Sequence, residues 1–283
     1  MGNLSEYCDS SSKYVTWLIS YIYDFLDEQI LNYTQRRFLH CLSGGIDSAL
    51  LLKLIVDRYG SKSIICLITN VDFFNNPNDL NDAQELCREL GVKYYFINIS
   101  KAVKVFYETM PELKTQMVDN VANRVRSGLA CELALKYNLR LLFAGPYSEW
   151  AIMGGDAVGG AAAHCYPFGG IFKSEIYAIA RRVNLSEKFC RKKPSTSSIR
   201  KTNAKEAYAL GIKLSDLEKL VMFFCGLINK NKIEHIPKDK LLFFHYLFKF
   251  FEKDLDYPCT NLIEPERNGR KEFFAEFDKF PFE

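Results

Sequence analysis

The sequence predicts an α/β protein, a parallel sheet with helices packed on both faces. Three observations lead there. Four apolar bursts, at 38–42, 63–69, 92–99 and 139–145, are strand-sized. The stretches between them carry apolar residues at helical spacing, and strands alternating with helices argue for a parallel sheet. Of the 283 residues, 48% are hydrophobic and 25% charged, the composition of a chain with a full core.

The elements can be justified in order. Residues 13–31 place Val15, Leu18, Ile19, Ile22, Phe25, Leu26 and Ile30 three and four apart, which predicts an amphipathic helix packed on the sheet. The first strand, 38–42, is followed by a helix at 47–58. The second strand, 63–69, leads to a helix at 79–90 that Asp79 and its neighbours can cap. After the third strand, 92–99, comes a helix at 120–137, and then the fourth strand at 139–145. Beyond Pro167 and a Gly-Gly turn, KSEIYAIARRV reads as another helix. The segment after Pro194, PSTSSIRKTNAK, is polar, basic and aperiodic, and reads as a long loop of the kind that forms lids. Residues 241–251, LLFFHYLFKFF, predict a helix buried in the core or in a subunit interface. The expected organisation is a polar leader at 1–12, a main domain at 13–229 and an aromatic-rich appendage at 230–283.

Several function classes are excluded on composition. No run reaches the roughly 18 uncharged apolar residues that span a bilayer, and the start lacks a signal peptide's apolar core, so a cytoplasmic protein without membrane contact is expected. Nine cysteines without a CxxC pair read as reduced, mostly buried thiols, and four histidines have no metal-ligand spacing. Net charge is only +3, yet residues 181–205 hold nine Lys or Arg against the single acid Glu187. Such a cluster suggests a polyanion nearby, nucleic acid or nucleotide phosphates, with a solvated basic loop as the plain alternative.

The strongest chemical signal is the first strand running into Ser43, Gly44, Gly45, Ile46, Asp47 and Ser48. A glycine turn between strand and helix gathers backbone N–H groups at the positive end of the helix dipole, a site for phosphate. Glycine permits the turn's dihedrals and the close approach that a Cβ would block. Ser43 and Ser48 can donate hydroxyl bonds, and Asp47 can hold magnesium through oxygen. The Walker spacing GxxxxGK[ST] is absent.

This hexapeptide resembles the pyrophosphate loop of the ATP pyrophosphatases. A larger set is similar to the ammonia-dependent NAD synthetases: the helix before SGGIDSA, Asn120 with Arg124 and Arg126, Gly145 with Glu149, Pro167 with Lys173, and Lys192, Pro194 and Ser195. The likeness runs from Lys13 to Cys225. It implies a homodimer with the Rossmann-like, adenine nucleotide α-hydrolase-like fold that converts deamido-NAD, ATP and ammonia into NAD, AMP and pyrophosphate. By position, Ser43, Gly44, Gly45, Asp47, Ser48, Lys173 and Ser195 would bind the ATP phosphates, and Asp47 and Glu149 would hold Mg2+. Asn120, Arg124, Arg126 and, on a shifted alignment, Asp156 would contact the dinucleotide. Asp47, Glu149 and Lys173 are the catalytic candidates, with no further catalytic residue assigned. Two arginines two apart do not share a helix face, so Arg124 and Arg126 should serve different neighbours.

The match also departs from the family. AIMGGDAVGGAAAHCY stands where a Thr-Lys-Tyr-Gly-Asp-Gly segment is expected, Pro146 replaces a threonine, and Arg200, Lys201 and Lys205 stand where the family carries acids. These changes fall on the acceptor side and leave open the same chemistry on another carboxylate. An RNA-modifying relative is a further alternative on the basic loop, although no nucleic-acid partner is expected, and a nucleotide sensor without activity is opposed by Asp47 and Glu149.

Overall fold

The computed structural model describes residues 13–32, 37–73, 75–111, 118–149, 151, 163–192 and 213–251. Its core is a parallel sheet of four strands, β1 (Phe38–Cys41), β2 (Ile64–Asn70), β3 (Lys93–Asn98) and β4 (Arg140–Leu142). They lie in the order β3-β2-β1-β4, with Phe38 opposite both Ile64 and Arg140. The helices are α1 (Lys13–Leu31), α2 (Ile46–Tyr59), α3 (Pro77–Glu89), α4 (Ser100–Thr109), α5 (Val118–Tyr137), α6 (Lys173–Arg182), the single turn α7 (Glu187–Cys190), α8 (Leu214–Phe224) and α9 (Lys238–Phe251).

Alternation along the strands sends side chains to two separate cores. Phe38, Ile64, Cys66 and Ile68 pack with apolar residues of α1, α2, α3 and α6. Leu39, Ile65, Leu67 and Leu141 face the other way and meet Ala130 and Ala134 of α5. The sheet is therefore covered on both faces along β1, β2 and β4, whereas β3, at its edge, stays partly open, with Phe96 exposed.

Most elements fall where the apolar pattern puts them, with four differences. The fourth strand is shorter than expected, because Phe143 and the residues after it turn away toward Cys165 and Ile171. Asn76, not Asp79, caps α3: its side-chain oxygen accepts the Asn78 N–H at 3.2 Å, with Pro77 in the first turn. The helix α4 was not expected; it buries Val103 and Tyr107, four apart, while Val105 and Phe106 face outward. The aromatic segment 241–251 does form a helix, and its described side chains divide between a covered and an open face. Phe244 and Phe248 are buried, whereas Leu242 and Phe243 are exposed.

Among the described residues the cysteines are free thiols, four of them buried and three partly so. None of the described helices is long and apolar enough to cross a membrane. The basic cluster is partly neutralised by α3: Lys188 pairs with Asp82 and Glu85, and Lys192 with Asp79 and Asp82. Arg191 pairs with Glu187. The part of the cluster beyond Lys192, and the whole segment after Pro194, lie outside the described residues.

Candidate functional site

The turn between β1 and α2 is shaped by one residue in the left-handed region, Gly44, with φ +82°. A Cβ there would sit 2.1 Å from the carbonyl oxygen of Asp79, so no side chain fits. Gly45 occupies the N-cap of α2 without offering a side-chain oxygen, which leaves the first N–H groups of the helix uncapped by their own turn.

Serines brace the turn. The Ser43 N–H donates to Ser48 Oγ at 3.2 Å, the two hydroxyls lie 3.0 Å apart, and the Ser48 hydroxyl donates to the Gly45 carbonyl at 3.1 Å. The Gly45 N–H reaches Ser43 Oγ at 3.3 Å. Beneath them the His40 ring makes a 3.0 Å bond through Nε2 to the Ser48 carbonyl. Burial pushes His40 down to about 4, so near neutral pH the ring is uncharged and Nε2–H is the donor.

Two distant elements bring charge to this turn. The chain from Gly145 turns through a helical stretch at 147–149, which presents Glu149. From the other side comes α6, whose first residue is Lys173. Its start is set by Glu175, which accepts the Phe172 N–H at 2.7 Å and also the Tyr14 hydroxyl from α1. Ser148 Oγ accepts the Lys173 N–H at 3.3 Å, tying the two elements together.

The Lys173 Nζ lies 2.5 Å from Asp47 Oδ2 and 3.1 Å from Glu149 Oε1. Its side chain is only 4% exposed, against 21% and 20% for the two acids. Burial works against the lysine's charge, but the two carboxylates outweigh it and hold the ammonium well above its ordinary range. Burial raises the Glu149 carboxyl, opposed by the Lys173 charge and reinforced by Asp47. Asp47 Oδ1 is buried and has no hydrogen-bond partner. A buried acceptor left open in this way is costly unless something else fills it.

Behind α6 lies a further acid. Glu218 of α8 accepts the Ser174 N–H at 3.0 Å and its hydroxyl at 3.1 Å through the same oxygen. Burial raises Glu218 to about 8, against the two bonds from Ser174.

Of the residues singled out from sequence, Ser43, Gly44, Gly45, Asp47, Ser48, Glu149 and Lys173 converge on this one spot. Arg126 does not join them. Half-buried on α5, it donates from Nε to Thr69 Oγ1 near the end of β2 and from Nη1 to Asn123 Oδ1, each at 2.7 Å. Arg124 is exposed on the same helix, so the two arginines do meet different surroundings. Asn120 lies one turn before Arg124 in α5. Ser195 and Asp156 lie outside the described residues. Sequence reasoning missed His40, Ser148, Glu175 and Glu218; of these, Glu175 alone stands at a position a local pattern marks, the third of α6, where it closes a capping box.

A parallel sheet whose central strand feeds a glycine turn, with an acid pair and a buried lysine facing it, defines an α/β protein whose charged groups meet at one strand-to-helix turn, the turn that resembles the pyrophosphate loop of the ATP pyrophosphatases. Comparison with known proteins narrows this. Residues 18–242 match the family model described as NAD synthase. An NH3-dependent NAD synthetase of Campylobacter jejuni (strain 81-176) is 32% identical over 172 residues, covering 61% of this chain and 69% of that protein. The enzyme of that name from Helicobacter acinonychis is 26% identical over 183 residues, 65% and 70% of the two chains. Among solved structures, an NMN synthetase from Francisella tularensis superposes with a TM-score of 0.69 at 22% identity, over 83% of this chain and 93% of that one. The C. jejuni NH3-dependent NAD synthetase, solved with a nitrate ion, gives 0.67 at 22% identity over the same shares. The chain belongs to the NAD synthase family and, with it, to the ATP-using ligases.

Proposed function

We propose that this chain adenylates the nicotinate carboxylate of deamido-NAD with ATP and passes the acyl group to ammonia, yielding NAD, AMP and pyrophosphate. The observation that carries the reading is the meeting of Lys173 with Asp47 and Glu149 at the glycine turn. A carboxylate is a weak nucleophile and triphosphate is densely anionic, so the enzyme's task is to neutralise the phosphates and align the attack. The acid's oxygen attacks the α-phosphorus and pyrophosphate leaves. Ammonia then displaces AMP from the acyl carbon, and no protein nucleophile is needed.

In this reading the N–H groups and hydroxyls of Ser43, Gly44, Gly45 and Ser48 receive the departing pyrophosphate, together with Ser195. Lys173 turns from the two acids to a phosphate oxygen as the nucleotide enters. Asp47 and Glu149 are hard oxygen donors, and Asp47 Oδ1 is without a partner, which suits magnesium. That ion, when bound, would supply charge neutralisation. Asn120, Arg124, Arg126 and Asp156 serve the dinucleotide. The unit is a homodimer, with residues 13–229 as the catalytic domain and 230–283 packed on it or on its twin.

The test is direct. Purified protein with ATP, Mg2+, ammonium and deamido-NAD should form NAD, AMP and pyrophosphate in equal amounts, followed by mass spectrometry. Release of ADP, or no amide at all, would sink the reading. The altered surroundings of Pro146, and the NMN synthetase among the structures of like fold, make nicotinate mononucleotide the second acceptor to try. Amidation of the mononucleotide alone would keep the chemistry and move the acceptor.

A further inference from the structure

Lys192 touches the glycine turn without being part of it. Its Nζ lies 2.8 Å from the Gly44 carbonyl oxygen, 2.8 Å from Asp79 Oδ1 and 2.6 Å from Asp82 Oδ2. Two of its N–H donors are taken by the Gly44 carbonyl and Asp79, and Asp82 pairs with the remaining charge. Two carboxylates offset its charge locally, so the field it offers a phosphate is weak. The Phe189 ring lies 5.3 Å from Nζ, and the Tyr177 hydroxyl donates to the Lys192 carbonyl at 2.6 Å, so the residue is held at both ends.

The bond to Gly44 has a geometric consequence. The Gly44 carbonyl and the Gly45 N–H belong to one planar trans peptide and point in opposite directions. Holding that carbonyl outward against Lys192 turns the Gly45 N–H inward, where it now meets Ser43 Oγ. A cation on a carbonyl also polarises the peptide and strengthens its N–H as a donor. The left-handed φ of Gly44 and the close approach of Asp79 leave little room for another orientation.

We propose that Lys192 is a positioning residue for the phosphate turn: with Asp79 and Asp82 it fixes the peptide between Gly44 and Gly45 so that the Gly45 N–H faces the nucleotide. This rests on the turn being the ATP phosphate site. Losing a charge-assisted bond of this kind is expected to weaken ATP roughly tenfold or more. Lys192→Met should therefore raise both the Kd and the KM for ATP by that factor, leave the KM for the acceptor unchanged, and be largely restored in Lys192→Arg. In 15N-glycine-labelled protein without nucleotide, the Gly45 amide resonance should move in Lys192→Met. Lys188→Met is the control, since Lys188 pairs with the same helix α3 but makes no bond to Gly44. It should leave ATP binding and the Gly45 resonance as they are.

Asp79→Asn/Asp82→Asn separates positioning from direct contact. A positioning role predicts weaker ATP binding in this variant, whereas a lysine that ligates phosphate would be freed by it and bind ATP more tightly. Unchanged ATP affinity and an unmoved Gly45 resonance in Lys192→Met, or tighter binding in the double variant, would overturn the proposal. If the parent protein itself binds no ATP by calorimetry, it is the phosphate-site reading that fails.

Discussion

Two strand-to-helix turns lie side by side at the carboxyl ends of β1 and β2, and they treat their polar groups in opposite ways. In the turn after β2 the side chains satisfy one another. Asn70 and Asn98 both donate to Asp72 Oδ1, at 2.6 and 2.7 Å, Ser100 Oγ accepts the Asp72 N–H at 2.8 Å, and Asn75 accepts the Val71 N–H at 2.6 Å. In the turn after β1, Asp47 keeps a buried oxygen with no partner, and a buried lysine is drawn in from 126 positions away. Polar groups at one turn close the structure, and at the other they leave an acceptor open, as the proposed phosphate site requires.

Four substitutions break or sharpen that contrast. The largest effect belongs to Lys173→Met, which should lower turnover by roughly a thousandfold by removing the cation proposed to meet the phosphates. Amide formation that survives with near-parental kcat would mean that the turn after β1 is not where the chemistry occurs. Next is Gly44→Ala. With a Cβ 2.1 Å from the Asp79 carbonyl the turn must shift, and a shift of that size typically costs on the order of a hundredfold. Calorimetric ATP titration measures it, and parental affinity would show that the turn's shape is immaterial.

The third change probes the other buried carboxyl oxygen without a partner among the described residues, Glu218 Oε2. Its group rises from the ordinary 4.5 to about 8 on folding. Between those values the folded chain holds a proton that the unfolded chain has released, so the stability this group contributes falls as pH climbs through that window. Glu218→Gln keeps an acceptor for Ser174 and carries no charge. Its Tm should vary less from pH 5 to 8 than the parent's and exceed it at pH 9. A Tm below the parent's at every pH would mean that Glu218 is ionised in the fold. The smallest effect is expected from Ser100→Ala, in the closed turn: about 1 kcal/mol of stability by denaturant titration, with the KM for ATP within about twofold. A large rise in that KM would draw the second turn into the site.

Much of this was legible in the sequence, for reasons that differ by region. The strands announce themselves because a parallel sheet covered twice needs unbroken apolar runs, and α1 and α5 because their apolar residues repeat at helical spacing. The glycine turn was legible because its conformation demands particular residues in consecutive positions. What stayed hidden is contact across long separations. Lys192 reaches Gly44 over 148 positions, and no pattern near either residue announces it. α4 was missed although its stripe is present in the sequence: Val103, Phe106 and Tyr107 are three and four apart. Asp79 looked like a cap, but Asn76 had already filled that role and left Asp79 free for Lys192.

The tether between Tyr14 and Glu175 carries a practical lesson for anyone trimming this chain. The phenol belongs to the first described helix and the carboxylate to the turn that launches Lys173, so α1 reaches that lysine through two handshakes. A recombinant version that begins after Tyr14 forfeits the first of them, and its lysine should wander even though every group of the proposed site is still encoded.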